Sequence, residues 1–264
     1  MKKYLWLVAA GCIGMSAAQA AVQGREVDYQ SNGTTLKGYI AYDDAFTGKR
    51  PAVLVVHEWW GHNAYARHRA DMLAQQGYTA LAVDMYGDGK QANHPDDAGK
   101  FATAVMTNMP EARSRFEAGM KLLRADATVD AGEVAAIGYC FGGGVVLNMA
   151  RMGYDLKGVV SFHGGLNAVT TAQPGAIKAR ILSFTGEDDP MIGADKVAAF
   201  RQEMDAAKAD YQVVTYSGVK HSFTNPDADE LGRKFNLPLA YSPLADKDSW
   251  QQTTVFLKQV FGTK

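Results

Sequence analysis

Six short apolar runs, rich in β-branched residues, punctuate the chain: Ala52 to Val56, Thr79 to Val83, Val134 to Tyr139, Gly158 to Phe162, Arg180 to Phe184 and Tyr211 to Tyr216. Each is bounded by glycine, proline or aspartate and reads as a strand. Between most of them lie stretches with apolar positions at helical spacing, namely Ala64 to Gln76, Glu111 to Arg124 behind Pro110, Gly143 to Met152 and Ala194 to Lys208. Strands apolar on both faces, alternating with helices, predict an α/β fold with a mostly parallel central sheet and helices on both faces. Lys247 to Phe261 predicts a closing amphipathic helix, and Val27 to Tyr42, turning at Asn32-Gly33, predicts an antiparallel hairpin leading into the sheet.

In such sheets chemistry gathers at the carboxyl ends of the strands. There the apolar pattern is broken by His57-Glu58, Asp84, Cys140, His163, Glu187-Asp188-Asp189 and, just past the sixth run, His221.

The first twenty residues stand apart from this pattern. Lys2-Lys3, the apolar stretch Tyr4 to Ile13 and the closing Ala18-Gln19-Ala20 have the layout of a secretory signal peptide, with cleavage expected after Ala20 and a periplasmic or secreted location. A rival reading takes Ala9-Ala10-Gly11-Cys12 as a lipoprotein processing site. The apolar core is shorter than the roughly 20 residues an ordinary membrane-spanning helix takes, and no stable membrane insertion is expected. No linker or internal repeat divides residues 21–264, which are expected to form one domain. A net charge of −1 offers no electrostatic footprint for nucleic acid. Cys140 is the one cysteine left after processing, so it is either buried and inert or kept for its reactivity.

Gly138-Tyr139-Cys140-Phe141-Gly142 matches a nucleophile elbow with cysteine in the nucleophile position, between a predicted strand and a predicted helix. The helix that begins at Phe141 points amide groups and a positive dipole end at the sulfur, favouring thiolate and a developing oxyanion. A thiol needs a base, because only a few per cent of an unperturbed cysteine is thiolate at neutral pH. His221 can serve, and either Asp188 or Asp189 can orient it; the order nucleophile, acid, histidine is that of the α/β-hydrolases. His57 and His62 hint at zinc, but they are five apart rather than four, Gly61 intervenes and the segment ends a strand, so no metal site is expected. His163 reads as a residue shaping the pocket floor or satisfying backbone groups, Asp84 as a loop-stabilising acid, and His68, His94 and Asp96-Asp97 as solvated or capping groups.

The segments His57-Glu58-Trp59-Trp60-Gly61, Gly138 to Gly143, Gly186 to Ile192 and His221-Ser222-Phe223 together resemble the dienelactone hydrolase family over nearly all of residues 21–264. The resemblance implies a Cys140, Asp189 and His221 triad, choosing Asp189 because the family's spacing falls on Gly186, Asp189 and Ile192. It implies that Glu58 contacts the resting thiol and that the Trp59 and Phe141 amides form the oxyanion hole. The implied activity is hydrolysis of a small ester or lactone through an acyl-enzyme thioester, without a cofactor. Trp60 and Tyr86, with Trp59, Tyr65 and Phe141, are candidates to line the substrate pocket. The family's namesake holds its substrate carboxylate with an arginine where this chain has Asn225, which predicts a preference for neutral substrates. Pro226 to Tyr241 is expected to be a long active-site loop. Other classes that fit are hydrolysis of a thioester or amide, and catalytically idle binding of a small ligand.

Overall fold

A computed structural model describes residues 22–262; the segment expected to be a signal peptide, the expected cleavage point and Cys12 lie outside the described residues. Among the described residues no helix is long and apolar enough to cross a membrane.

The hairpin forms from β1 (Val22–Ser31) and β2 (Thr34–Asp43), joined at Asn32 and Gly33, whose φ values of 47° and 79° are those of a primed two-residue turn. There follow β3 (Arg50–Val56), α1 (Ala64–Ala74), β4 (Thr79–Val83), α2 (Pro95–Met106), α3 (Met109–Ala125), β5 (Val129–Tyr139) and α4 (Phe141–Arg151). The chain continues through β6 (Gly158–Phe162), β7 (Arg180–Gly186), α5 (Ala194–Ala206), β8 (Tyr211–Tyr216), α6 (Ala228–Phe235) and α7 (Pro243–Phe261). The strands make an eight-stranded sheet in the order β1-β2-β4-β3-β5-β6-β7-β8, antiparallel at β1, β2 and the β2–β4 pair and parallel from β4 to β8.

Unbroken apolar strands follow from the sheet's two cores. Leu54 and Val56 of β3 pack with α3, α4 and α5 on one face, while Val53 and Val55 pack with α1 and α7 on the other. The register Val56 to Gly138, Tyr139 to Phe162 and Phe162 to Phe184 aligns the strand ends, so the residues after β3, β5, β6 and β7 emerge along one edge.

Two helices lie where the hydrophobic pattern predicted none. α2 starts at Pro95 with His94 capping the Asp96 amide and Asp96 and Asp97 in its first turn, so those three polar residues are helix-start groups. α6 occupies the middle of the expected loop from Pro226 to Tyr241. Its Ala228 is buried, and Leu231 and Phe235, three and seven residues on, pack against Trp60, Ala92 and Ala98.

Candidate active site

Cys140 sits at the turn between β5 and α4 with φ 51° and ψ −115°, a strained conformation that only tight surroundings maintain. The flanking glycines are required by contact. A Cβ on Gly138 would come within 2.2 Å of the Gly142 carbonyl, and one on Gly142 within 2.3 Å of the Val56 carbonyl. The elbow can therefore wedge against β3 only if both positions lack side chains.

His221, in the segment after β8, reaches the thiol with Nε2 3.2 Å from Cys140 Sγ, while its Nδ1 lies 2.7 Å from Asp189 Oδ2. Asp189 is buried in the turn after β7, its other oxygen accepting the Met191 amide at 2.8 Å; Asp188 faces solvent. Burial alone would lower the proton affinity of His221, but the negative charge at Cys140 and the hydrogen bond to Asp189 outweigh it, and its pKa is pushed up to about 10. The arrangement suits an imidazolium between a thiolate and a carboxylate.

His163 follows β6 and lies beneath both groups. Its Nδ1 accepts the Cys140 amide at 3.2 Å and its Nε2 pairs with Thr224 Oγ1 at 2.8 Å, while its ring meets that of His221 edge-on at 5.1 Å. Burial, with the nearby positive charges of His221 and Arg69, holds it well below the usual histidine range and so uncharged. Thr224 in turn bonds Tyr65 and Arg69, and Arg69 pairs with Asp246 at 2.6 Å. Asp84 accepts the amides of Lys37, Tyr86, Gly87 and Gly89, which ties the turn after β4 to β2.

Beside the thiol opens a cavity of about 370 Å³. Trp59, Phe141 and His221 border it, α2 contributes Ala102, Thr103 and Met106, the segment after β6 contributes Gly165, Asn167 and Val169, and the Asp189 turn contributes Met191 and Ile192. None of these carries a formal charge except His221 when protonated. Neither the Trp59 nor the Phe141 amide donates to another group among the described residues, as expected for Phe141 in the first turn of a helix. Both are therefore free to bind an oxygen.

The dienelactone hydrolase family model matches residues 36–261. The chain belongs to the dienelactone hydrolase family. Protein usf of Aquifex pyrophilus is 32% identical over 89% of this chain and 98% of its own. Among solved structures, a dienelactone hydrolase-like promiscuous phosphotriesterase from metagenomic libraries is 34% identical over 91% of this chain and 99% of its own, with a TM-score of 0.85. A thermophilic esterase of Thermogutta terrifontis, 15% identical over 90% of this chain and 92% of its own with a TM-score of 0.60, shares the α/β-hydrolase fold.

Within this dienelactone hydrolase framework five expected placements are corrected, the first that of Tyr65, which bonds Thr224 and does not border the cavity. Glu58 is buried and does not bond the thiol. Its oxygens accept from Ser222 Oγ at 3.2 Å and Asn225 Nδ2 at 2.6 Å, and burial pushes its pKa up despite those donors. Asn225 is spent on Glu58 and on the Asp227 amide, so it borders a separate depression under α6 rather than the cavity beside Cys140. Trp60 borders the same depression, tilted against Phe235, because α6 covers it. Tyr86 lies behind the cavity, its ring against Phe141 and its hydroxyl donating to the Trp59 carbonyl at 2.9 Å.

The cavity residues of α2 and of the segment after β6 escaped the sequence reading. The latter segment is pinned from below by buried polar groups: Asn148 accepts the Val169 amide, and Arg151 donates to the Leu166 carbonyl while pairing with Glu203. The usable signal was a pair of polar residues, Asn148 and Arg151, three apart on an otherwise apolar helix.

Proposed function

We propose that this hydrolase cleaves a small, neutral, largely apolar ester or lactone with Cys140 as its nucleophile. The observation that carries the reading is the line from buried Asp189 through buried His221 to the partly exposed Cys140, at the edge of a cavity whose walls carry no charge. The thiolate adds to the carbonyl carbon, and the oxygen takes the electron pair against the Trp59 and Phe141 amides; losing one such donor typically costs about 3 kcal/mol of barrier. As the carbon–oxygen bond breaks, the His221 imidazolium gives its proton to the departing alkoxide. Acylation removes the charge on sulfur, and with it much of what raised the proton affinity of His221. The imidazole can then take a proton from the water that attacks the thioester.

The test is a panel of aryl esters, lactones, acyl thioesters, amides and a neutral aryl phosphotriester, run with wild type and Cys140→Ala in parallel. Ester and lactone turnover that is lost in Cys140→Ala at an unchanged melting temperature is the expected result. A Cys140→Ala enzyme with ordinary activity sinks it. The amino-terminal sequence supports export of this enzyme with cleavage after Ala20, which the mass of the protein recovered from a periplasmic or secreted fraction would test.

A further inference from the structure

We propose that His57 is a positioning residue that locks both donors of the oxyanion site, holding the Glu58–Trp59 peptide from its carbonyl side. This rests on the oxyanion role of Trp59 and Phe141 proposed above. His57 directly follows β3 and is fully buried. Its Nδ1 lies 2.6 Å from the Glu58 carbonyl oxygen, and its Nε2 accepts the Met85 amide at 3.2 Å. An acceptor Nε2 places the ring proton on Nδ1, so Nδ1–H donates to the carbonyl. That carbonyl belongs to the same peptide as the Trp59 N–H. In a planar trans peptide the two point in opposite directions, and no cis peptide occurs among the described residues. Holding the oxygen toward His57 therefore turns the Trp59 N–H away from the ring and prevents the peptide from flipping.

The same residue reaches the other donor. The His57 carbonyl accepts the Gly142 amide at 3.1 Å, one residue beyond Phe141, and the imidazole stacks on the Phe141 ring at 5.5 Å and 23°. The Met85 amide that anchors Nε2 lies in the turn that Asp84 pins, and Tyr86 holds the next carbonyl, that of Trp59. One buried residue thus joins the segment after β3, the turn after β4 and the start of α4, its imidazole through the Glu58 carbonyl, the Met85 amide and the Phe141 ring and its backbone carbonyl through the Gly142 amide.

The test compares wild type, His57→Phe, which keeps a ring to stack but neither hydrogen bond, and His57→Asn, whose amide nitrogen stands where Nδ1 stood. Three quantities are read: ester kinetics, affinity for a trifluoromethyl ketone that adds to the Cys140 thiolate and leaves a tetrahedral oxyanion, and the rate of Cys140 alkylation by iodoacetamide, which forms no oxyanion. His57→Phe is expected to lose about 100-fold in kcat, the scale of one missing oxyanion donor, with KM little changed. Ketone affinity should fall in parallel, alkylation should stay near wild type, and His57→Asn should recover at least tenfold of the loss. Unchanged ketone affinity in His57→Phe overturns the inference, as does a loss that appears equally in alkylation. A wild type that forms no ketone adduct at Cys140 instead removes the nucleophile assignment on which the inference stands. Nitrogen-15 NMR of the wild type gives a check independent of any variant: His57 should show a proton on Nδ1 and a bare Nε2, and the opposite tautomer refutes the arrangement.

Discussion

The floor beneath Cys140 and the walls above it are built on different physical terms. The floor lies at the carboxyl ends of parallel strands, and three of its residues hold left-handed backbone, Cys140 at φ 51°, His163 at 40° and Ser222 at 57°. Such conformations cost of order 1–3 kcal/mol each and persist only where neighbours over-determine them. Here the neighbours are buried partners: the Phe162 carbonyl and His163 Nδ1 take the Cys140 amide, the Phe184 carbonyl takes that of His163, and Ser222 bonds Glu58. The walls are borrowed from a helix and two connecting segments, they carry no charge, and at the rim Val169 and Met191 are 48% and 38% exposed. A polar floor held by hydrogen bonds carries the reacting groups of the proposed chemistry, while a largely apolar wall, including the adaptable thioether side chains of Met106 and Met191, borders the space that a substrate would enter.

The comparison breaks most readily at the acid. Asp189→Asn should reduce turnover by about four orders of magnitude, because a neutral amide cannot support the imidazolium and favours the wrong tautomer. Asp188→Asn, on a side chain that faces solvent, should stay within about twofold, as surface changes generally do. Steady-state kinetics on the two variants decides it, and the reverse ranking would mean that the floor does not end at Asp189.

The same division explains what could be read from the sequence. Gly138, Cys140 and Gly142 were legible because the elbow demands particular residues at fixed spacing, and His221 because the order of strands brings its segment to the same edge, whereas that order left Asp188 and Asp189 equal and only the resemblance to the family's spacing chose Asp189. The parallel sheet was legible because strands buried on both faces must be apolar throughout. The walls were not. Ala102 and Met106 border the cavity only because α2 docks there, and nothing local in a Pro-Asp-Asp helix start announces the docking site. Trp60 and Asn225 were misplaced for the same reason: α6, through Leu231 and Phe235, covers one and the Glu58 carboxylate engages the other. The bond from Asn225 to Glu58 joins segments 167 residues apart, a pairing that chain position alone does not disclose.

A subtler effect sharpens the account of the floor. The proton on His221 is held mainly against the charge on Cys140, with Asp189 contributing, so its ring should stay protonated until the pH approaches about 10. A raised pKa means that removing a negative neighbour lowers it. In Cys140→Ala the titration midpoint should therefore move down from about 10, seen by NMR of the histidine ring. An unchanged midpoint would assign the whole shift to Asp189 and remove the acylation-dependent change proposed for His221.

The smallest expected effect lies at the rim. Burying an anionic substrate against the cavity walls would strip its carboxylate of water with no Lys or Arg side chain among the lining residues to compensate. A matched pair, a free acid and its methyl ester, should show higher kcat/KM for the ester. This preference originates in the walls and not in Asn225, whose amide is committed to Glu58, so an arginine at position 225 would meet the Glu58 carboxylate before any substrate. The site to change is Met191, which is partly exposed and follows the turn that carries Asp189. Met191→Arg should shift the preference toward the acid by about two- to fivefold, the scale of an exposed charge pair. Raising the ionic strength to about 1 M shortens the screening length to about 3 Å and should erase most of that gain. A wild type that favours the acid would mean that a cation reaches the substrate from elsewhere in the fold, and a gain in Met191→Arg that survives high salt would mean that position 191 is shielded from solvent when substrate is bound.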